Sequence, residues 1–275
     1  MRVDDLAAWI TEREHIRDRK EAGLPKPWTD DPILQAYRFC NVHREDDMVT
    51  RWITEYWRTP HAEDLDLWYA MVVARLFNKP ETLAAMGYPV GVAHSVLKSH
   101  VNKLRSSGNS VFSAAYMLTT HGQAIDKVEY TFSEVLAPLW RQRAHVRPMY
   151  GDTLAEFHAR LVSFQGLGSF IAAQVVADMK YVTPLLEAPD WHTWAASGPG
   201  SRRGLNRVCQ RDPQTPWKEP AWHATLLELR NALQLKYMII LHAQDLQNCL
   251  CEFDKYERVR LGQGRPKQRY DGGAP

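Results

Sequence analysis

The chain has 275 residues, of which 45% are hydrophobic and 24% charged, and its formal net charge is +2. No apolar stretch reaches the roughly 20 residues that cross a bilayer, the first residues lack the apolar core of a signal peptide, and so small a net charge does not by itself indicate nucleic-acid binding. We therefore expect a soluble cytoplasmic protein, folded as one domain or as two helical subdomains that share a cleft.

The four cysteines do not form the paired CxxC units of a zinc site. A large intracellular chain also does not need a disulfide framework. We therefore predict no metal site. The cysteines are Cys40, Cys209, Cys249 and Cys251.

Apolar residues recur with helical spacing along most of the chain, and alternating β-branched runs are nearly absent. This pattern predicts an all-α fold. Residues 1–261 are expected to form one helical catalytic domain, and 262–275 a basic, flexible tail. Prolines and glycines predict loops at 23–32 and 196–220. The predicted helical segments are 3–20, 30–58, 63–77, 92–106, 124–146, 152–163, 169–180 and 220–259.

Within the predicted helix 30–58, four polar residues recur at i, i+4, i+7 and i+11, which places them on one face. A solvated stripe of salt bridges has the same spacing and is common. A single cysteine on a helix is also usually a packing residue. The four residues are Cys40, Arg44, Asp47 and Arg51.

The stretch LVSFQGLGSFIAAQVV, residues 161–176, is the most specific local motif. A helix ends, a Gly-x-Gly turn follows, and a second helix begins with small residues. Glycine permits the tight turn and leaves backbone N–H groups at a helix N-terminus free for a DNA phosphate. Gly166, Gly168 and Ser169 are therefore candidate DNA-binding residues, although an ordinary turn between two helices would have the same pattern.

This stretch resembles the hairpin of helix-hairpin-helix base-excision glycosylases, and the resemblance implies a glycosylase-like helical fold. In that family an essential aspartate follows the hairpin by about twenty residues. Asp190 stands at that distance and is a candidate catalytic residue. A helix cap is the alternative. Trp191 and Trp194 lie beside it, where they would stack on an extruded base or pack in the core.

The segment GPGSRRGLNR, residues 198–207, combines three glycines with three arginines. As a flexible turn it would wrap a phosphate-like anion, because arginine offers paired donors and glycine lets the backbone approach. Arg202, Arg203 and Arg207 are the candidate ligands. The segment lacks the Lys-Ser/Thr ending of a P-loop, so triphosphate hydrolysis is not indicated. A solvated basic loop is the alternative.

The predicted helix 220–259 is apolar around most of its circumference, so its polar residues need an explanation. Asp245, Asn248 and Glu252 follow at i, i+3 and i+7 and should face one place. A buried carboxylate there would bind an ammonium group or act as its base. A structural network between the last helix and the early part of the chain is the alternative.

Together with the early motif YRFCNVHREDD (37–47) and the late motif DLQNCLCEFDKY (245–256), these segments make the chain similar to a known family. It resembles the alpha-glutamyl/putrescinyl thymine pyrophosphorylases, which include phage amino acid:DNA transferases, over roughly Trp9 to Tyr256. The same module also resembles the helical one attached to phage 5-hydroxymethyluracil DNA kinases. His43 stands where we expect an arginine in many relatives.

The resemblance implies an enzyme of thymine hypermodification in the host cytoplasm during phage infection. It would act on double-stranded DNA in which 5-hydroxymethyluracil is phosphorylated, and an amino acid or polyamine would displace the phosphate or pyrophosphate. A pathway kinase is an expected partner. No cofactor is expected beyond a monovalent cation at the DNA-bound hairpin. A glycosylase that uses Asp190, and a noncatalytic DNA-binding module that recruits the kinase, are the alternatives.

This reaction assigns roles to the candidates. Arginines would stabilise the departing phosphate, with Arg44 added to the three of the 198–207 segment. Asp190, Asp245 and Glu252 are the candidate carboxylates for the incoming amine. Cys40 would add to the pyrimidine C6 and help to expel the leaving group.

Overall fold

The computed structural model describes a chain of helices and turns, and the fold is all-α as predicted. Within the described part, the only β pairing is an isolated antiparallel bridge between Tyr37 and Arg269. No helix among the described residues has the length and apolar character needed to cross a membrane. The described residues are 1–114, 116, 119–120, 122–264 and 269.

Short 3₁₀ or π segments interrupt the α-helices at 44–46, 54–58, 131–136 and 185–187. In chain order the α-helices are α1 (Val3–Glu21), α2 (Pro32–Ala36), α3 (Met48–Ile53), α4 (Leu67–Phe77), α5 (Pro80–Met86), α6 (His94–Ser106), α7 (Lys127–Tyr130), α8 (Ala137–Arg141), α9 (Arg143–Val146), α10 (Leu154–Val162), α11 (Ser169–Met179), α12 (Pro199–Val208), α13 (Glu219–Tyr237) and α14 (Ala243–Arg260).

The chain divides into two compact units. One unit joins the two ends of the chain, Met1–Asp47 and His192–Pro275, and contains α1, α2 and α12 to α14. The other unit is the central segment Met48–Trp191, which contains α3 to α11. Most of the predicted tail, 262–275, lies outside the described residues.

The helices predicted at 3–20, 92–106, 152–163 and 169–180 are confirmed to within a few residues. The single helix predicted at 30–58 is wrong. Its middle is irregular, and the backbone N–H groups of Cys40 and Arg44 donate to side chains of α14 instead of continuing a helix.

The helix predicted at 220–259 is two helices, because Met238 adopts a left-handed backbone (φ 57°) that ends α13. The loop predicted at 196–220 contains a helix, α12, which begins with Pro199 at its first position. Proline is favoured there, since the N–H that it lacks would have no partner within the helix.

The glycines of α12 serve close helix packing. A Cβ on Gly204 would lie 2.0 Å from the carbonyl oxygen of Leu250 on α14. A Cβ on Gly200 would lie 2.3 Å from the Sγ of Cys251. Both distances are far below van der Waals contact, so α12 and α14 approach each other only because these two positions have no side chain.

In the Met48–Trp191 unit, α4 is buried along its whole length, from Leu67 to Phe77. Its one charged residue, Arg75, is 1% exposed and binds the fully buried Asp178 of α11 through two hydrogen bonds of 2.6 and 2.5 Å. Thr50 and Asn78 each accept one further hydrogen bond from this guanidinium group. The pair therefore fixes α11 against α4 without leaving a buried charge unmatched.

We expect Gly204→Ala to destabilise the protein by roughly 3 kcal/mol, since overpacking against a backbone atom cannot be relieved by a side-chain rotation. Gly198→Ser is the matched control. Gly198 precedes α12, a Cβ there meets no atom within 4 Å, and serine is a good N-cap. Denaturant unfolding of both variants tests this prediction, and equal midpoints would contradict the packing role.

Candidate functional site

Three arginines surround one carboxylate between α12 and α14. Asp254 of α14 is fully buried and accepts hydrogen bonds of 2.8 Å from the Nε atoms of both Arg203 and Arg207. The Nε of Arg258, one turn further along α14, lies 3.5 Å from the same carboxylate. The spacing of Arg203 and Arg207 at i and i+4 on a helix is what lets both reach one acid.

These arginines line an open cavity of about 510 Å³, together with Asp212, Gln214 and Gln263. The cavity wall has three guanidinium groups and one carboxylate, that of Asp212, while the buried Asp254 lies behind the wall and binds Arg203 and Arg207. Among the described residues, Arg203 donates only through Nε, so its two terminal nitrogens have no acceptor. The Nε of Arg258 is buried and donates no hydrogen bond to a described residue. The cavity therefore offers donors and positive charge to an anion.

The other predicted phosphate ligands lie elsewhere. Arg202 projects from a different side of α12 and binds Glu219, at 2.5 Å, and the hydroxyl of Ser197. Arg44 lies in a short 3₁₀ turn, and its backbone N–H donates to Asp245. The structure thus brings two of the four predicted arginines together and adds Arg258, which sequence reasoning missed. The i, i+4 spacing of Asp254 and Arg258 was the available signal.

The polar stripe on α14, formed by Asp245, Asn248 and Glu252, faces a single segment of the chain, residues 40–44, as predicted. Glu252 accepts the backbone N–H of Cys40 at 2.9 Å, and Asp245 accepts that of Arg44 at 3.1 Å. Between them, the amide of Asn248 donates to the carbonyl oxygen of Asn41 at 3.1 Å. The stripe therefore holds the irregular segment 40–44 by its backbone, which satisfies the polar groups of an otherwise apolar helix.

The position of Cys40 does not favour a nucleophilic thiolate. Although the residue as a whole is exposed, its thiol is desolvated by the surrounding protein, and the carboxylate of Glu252 adds a repulsive charge. These effects raise the pKa of Cys40 to about 12. A thiol with so high a pKa stays protonated at neutral pH and is a weak nucleophile.

His43 lies beside the same stripe. Its Nδ1 is 3.5 Å from Asp245, and its Nε2 is 3.8 Å from Glu14 of α1. A hydrogen bond to Asp245 raises the pKa of His43 above its ordinary value, and the charges of Glu14 and Asp46 act in the same direction. Burial raises the pKa of Glu14 as well. This histidine and its acids form a titratable group that the sequence did not reveal.

The Gly-x-Gly stretch forms a turn between two helices, α10 and α11, as predicted. Gly166 has a left-handed backbone (φ 83°), and a Cβ there would lie 2.4 Å from Val135. Gly168 precedes α11, is exposed, and has open space around it. The hydroxyl of Ser169 is 3.3 Å from the Nε2 of His158. The N-cap of α11 is Gly168, so the capping position has no side chain, and no described side chain accepts a hydrogen bond from the first N–H groups of this helix.

Asp190 caps α10. Its carboxylate accepts the backbone N–H groups of Leu154 and Ala155 at 2.7 and 3.1 Å. Trp191 is partly buried, and its indole N–H donates to the carbonyl oxygen of Lys180, whose ammonium lies 3.9 Å from the Trp191 ring centre. Trp191 is the last residue of the central unit. Trp194 belongs to the other unit and is partly buried.

Within the described residues, no group of three or more His, Cys, Asp or Glu side chains is arranged to hold a metal ion.

Comparison with known proteins gives two matches. A family model described as the helical domain of 5-hmdU DNA kinase matches residues 1–265. A 5-hmdU DNA kinase of Bacillus phage SP10 is 26% identical over 221 residues, and the match covers 72% of this chain and 35% of that kinase. The chain therefore corresponds to about a third of its relative. No solved structure matches.

We expect Asp245→Asn to lower the pKa of His43, because the hydrogen bond to the carboxylate is the main cause of its elevation. The raised pKa means that folding favours protonated His43. The stabilisation is therefore complete below the ordinary histidine pKa of about 6.5 and is lost as the pH rises through the raised value. An NMR titration of His43 measures the pKa directly. Asp18→Asn, on the exposed side of α1, is the control, and an unchanged pKa in Asp245→Asn would contradict the assignment.

Proposed function

Because the chain belongs to the family of 5-hmdU DNA kinase helical domains, we propose that it acts in phage thymine modification and replaces the phosphate or pyrophosphate on phosphorylated 5-hydroxymethyluracil with an amine. The observation that carries this proposal is the cavity in which Arg203, Arg207 and Arg258 outnumber the carboxylates. Such a site suits a group that gains negative charge as it leaves.

The chemical step is a displacement at the exocyclic methylene carbon of the base. The amine nitrogen forms a bond to this carbon, the carbon–oxygen bond breaks, and the phosphate or pyrophosphate departs with the electron pair. The terminal nitrogens of Arg203 and Arg258 bind the departing oxygens, while Asp254 fixes the orientation of the guanidinium groups. The amine loses one proton in this step, which passes to water or to the departing phosphate.

DNA binding is assigned to the turn between α10 and α11. The uncapped N-terminus of α11 presents backbone N–H groups beside the exposed Gly168 and Ser169, which suits a backbone phosphate. A contact of this kind does not read sequence. Base selection would therefore come from the pocket that receives the modified pyrimidine.

Asp245 and Glu252 act in this proposal as positioning residues, since each holds a backbone N–H of the segment 40–44. Cys40 is left out of the step because its thiol is protonated at neutral pH. Asp190 is engaged by two N–H groups of α10. Because these contacts are those of a helix cap, they do not support a glycosylase function for Asp190.

A second function is favoured by one observation. The matched relative is a kinase nearly three times as long as the match, which covers 35% of it. A helical domain of that kind would present modified DNA to a kinase without catalysing transfer itself. This alternative predicts binding of 5-hydroxymethyluracil DNA but no new nucleoside.

We expect Arg203→Ala and Arg258→Ala to reduce transfer by about 100-fold or more, because each removes a donor that acts on developing charge. Affinity for unmodified DNA should change little. Arg202→Ala is the matched control, since it removes an arginine from the same helix but outside the cavity. Transfer is measured by mass spectrometry of nucleosides after the protein, an amine pool and kinase-treated 5-hydroxymethyluracil DNA are incubated together.

Equal losses in Arg202→Ala and Arg203→Ala would remove the cavity from the reaction. Parallel loss of affinity for modified and unmodified DNA would indicate a general phosphate contact instead. If the wild-type protein binds the modified DNA but forms no new nucleoside, the DNA-presenting function replaces the transferase.

We expect Gly168→Asp to weaken DNA binding for all sequences alike, while Gly168→Asn weakens it much less. Both residues cap helices well and fit the open space at this position, so the two variants differ only in charge. Gly166 is unsuitable for this test because it packs against Val135. Affinity is measured on several duplexes over a range of salt concentrations. Equal affinities of the two variants would place the phosphate away from this turn.

A further inference from the structure

An exposed aromatic ring lies at the turn to which DNA binding is assigned. Of the chain's eight phenylalanines, all of which the structure describes, only Phe170 is exposed, at 57%. A single exposed apolar residue is common on protein surfaces. Three features of its surroundings distinguish this ring: its place on α11, a second aromatic ring that contacts it, and the charge of the segments around it.

Phe170 is the second residue of α11, which begins at Ser169 after the N-cap Gly168. The backbone N–H groups of this first turn are those proposed to bind a DNA phosphate. The ring of Phe170 and the phosphate contact would therefore belong to the same helical turn. Since only a sugar separates each phosphate of DNA from a base, DNA bound at this turn has bases close to Phe170.

Tyr116 supports the ring of Phe170. The two ring centres are 4.9 Å apart, and the ring planes are nearly perpendicular, at 87°. The hydroxyl of Tyr116 donates to the Oε1 of Gln174 at 3.1 Å, and Gln174 lies one turn after Phe170 on the same face of α11. Two contacts with α11 thus hold Tyr116 in place. The Phe170–Tyr116 pair is therefore an aromatic platform that is assembled when the protein folds.

The segments that meet at this platform contain no acidic residue. Tyr116 belongs to residues 82–125 and Phe170 to residues 157–177, and neither segment has an aspartate or glutamate, although 32 of the 275 residues of the chain are acidic. Three of their four cations pair with acids that lie outside both segments. A DNA phosphate would therefore meet no carboxylate of either segment. The four cations are Lys98, Lys103, Arg105 and Arg160.

Aromatic rings beside a phosphate-binding turn, in segments without acid, suit the flat face of a nucleobase. We propose that the Phe170–Tyr116 pair stacks on a base of the bound DNA, an inference that rests on the DNA contact of the proposed function. Phe170 presents the exposed ring, and Tyr116 positions it. Trp191, a stacking candidate from the sequence, has the ammonium of Lys180 3.9 Å from its ring centre instead.

Two bases offer such a face, and photocrosslinking distinguishes them. One is a pyrimidine that has left the helix, and the other is a paired base beside it, which an inserted ring would separate from its neighbour. The first duplex carries 5-iodouracil as a one-base bulge. The second carries a bulged thymine and a paired 5-iodouracil next to it. After irradiation with the wild-type protein, mass spectrometry of the peptides identifies the linked residue.

We expect a link to Phe170 or Tyr116. A link from the bulged base indicates that the platform receives an extruded pyrimidine. A link from the paired base indicates that the ring enters the base stack. Either result supports the platform, whereas the absence of a link to these two residues from both duplexes would overturn the inference.

Affinity for the bulged duplex separates stacking from charge. Phe170→Ala should weaken binding by about tenfold, because a stack between a base and an aromatic ring is lost. Phe170→Leu should behave in the same way, and Phe170→Trp should restore the affinity. The dependence on salt should not change, since no charge is removed. Tyr56→Ala is the matched control, because Tyr56 is 52% exposed in the same unit but lies outside both segments.

Wild-type affinity of Phe170→Ala, or an equal loss in Phe170→Trp and Tyr56→Ala, would also overturn the inference. The assays contain no amine and measure no transferred product, so their failure is separate from that of the transferase. If Gly168→Asp weakens binding but Phe170→Ala does not, the phosphate contact at the turn stands and only the platform is removed. A crosslinked platform without any transferred product would have the opposite meaning for the reaction.

Discussion

The close contact between α12 and α14 is the constraint on which the candidate site depends. Gly200 and Gly204 leave no room for a side chain between the two helices. This approach is what places the Nε atoms of Arg203 and Arg207 at 2.8 Å from Asp254. A wider separation would leave Asp254 as an unpaired buried charge, which is among the most costly defects that a core can contain.

Each of the two units contains a fully buried aspartate bound by arginine, and the two pairs differ in how many arginine donors remain open. Every nitrogen of the Arg75 guanidinium group donates to Asp178, Thr50 or Asn78. Breaking such a pair costs about 3–5 kcal/mol and gains nothing for a ligand. Asp254, by contrast, is faced by more positive charge than it can neutralise. The open donors of Arg203 and Arg258 are available to an anion that enters the cavity.

The sequence was sufficient for the fold class and the polar stripe of α14, because each depends on a local period of apolar or polar residues, and for the turn between α10 and α11, which its glycines mark. It was misleading at 198–207, where glycine and proline predicted a flexible loop. Proline also begins helices, and glycine also allows helices to touch. A single sequence does not show which partner a glycine faces. The same limit applies to His43, whose neighbours Glu14 and Asp245 are distant along the chain.

The helical form of 198–207 changes the way in which this segment would act on a phosphate. A flexible loop would have to be ordered around the anion at each binding event, and that loss of conformational entropy would oppose binding. Arginines on α12 are ordered when the protein folds, and Asp254 orients two of them before any ligand arrives. Donors held in place in this way stabilise developing charge without rearrangement, which is the condition for effective electrostatic catalysis. The buried acid therefore contributes to the proposed reaction through the guanidinium groups that it positions, although it would not itself touch the substrate.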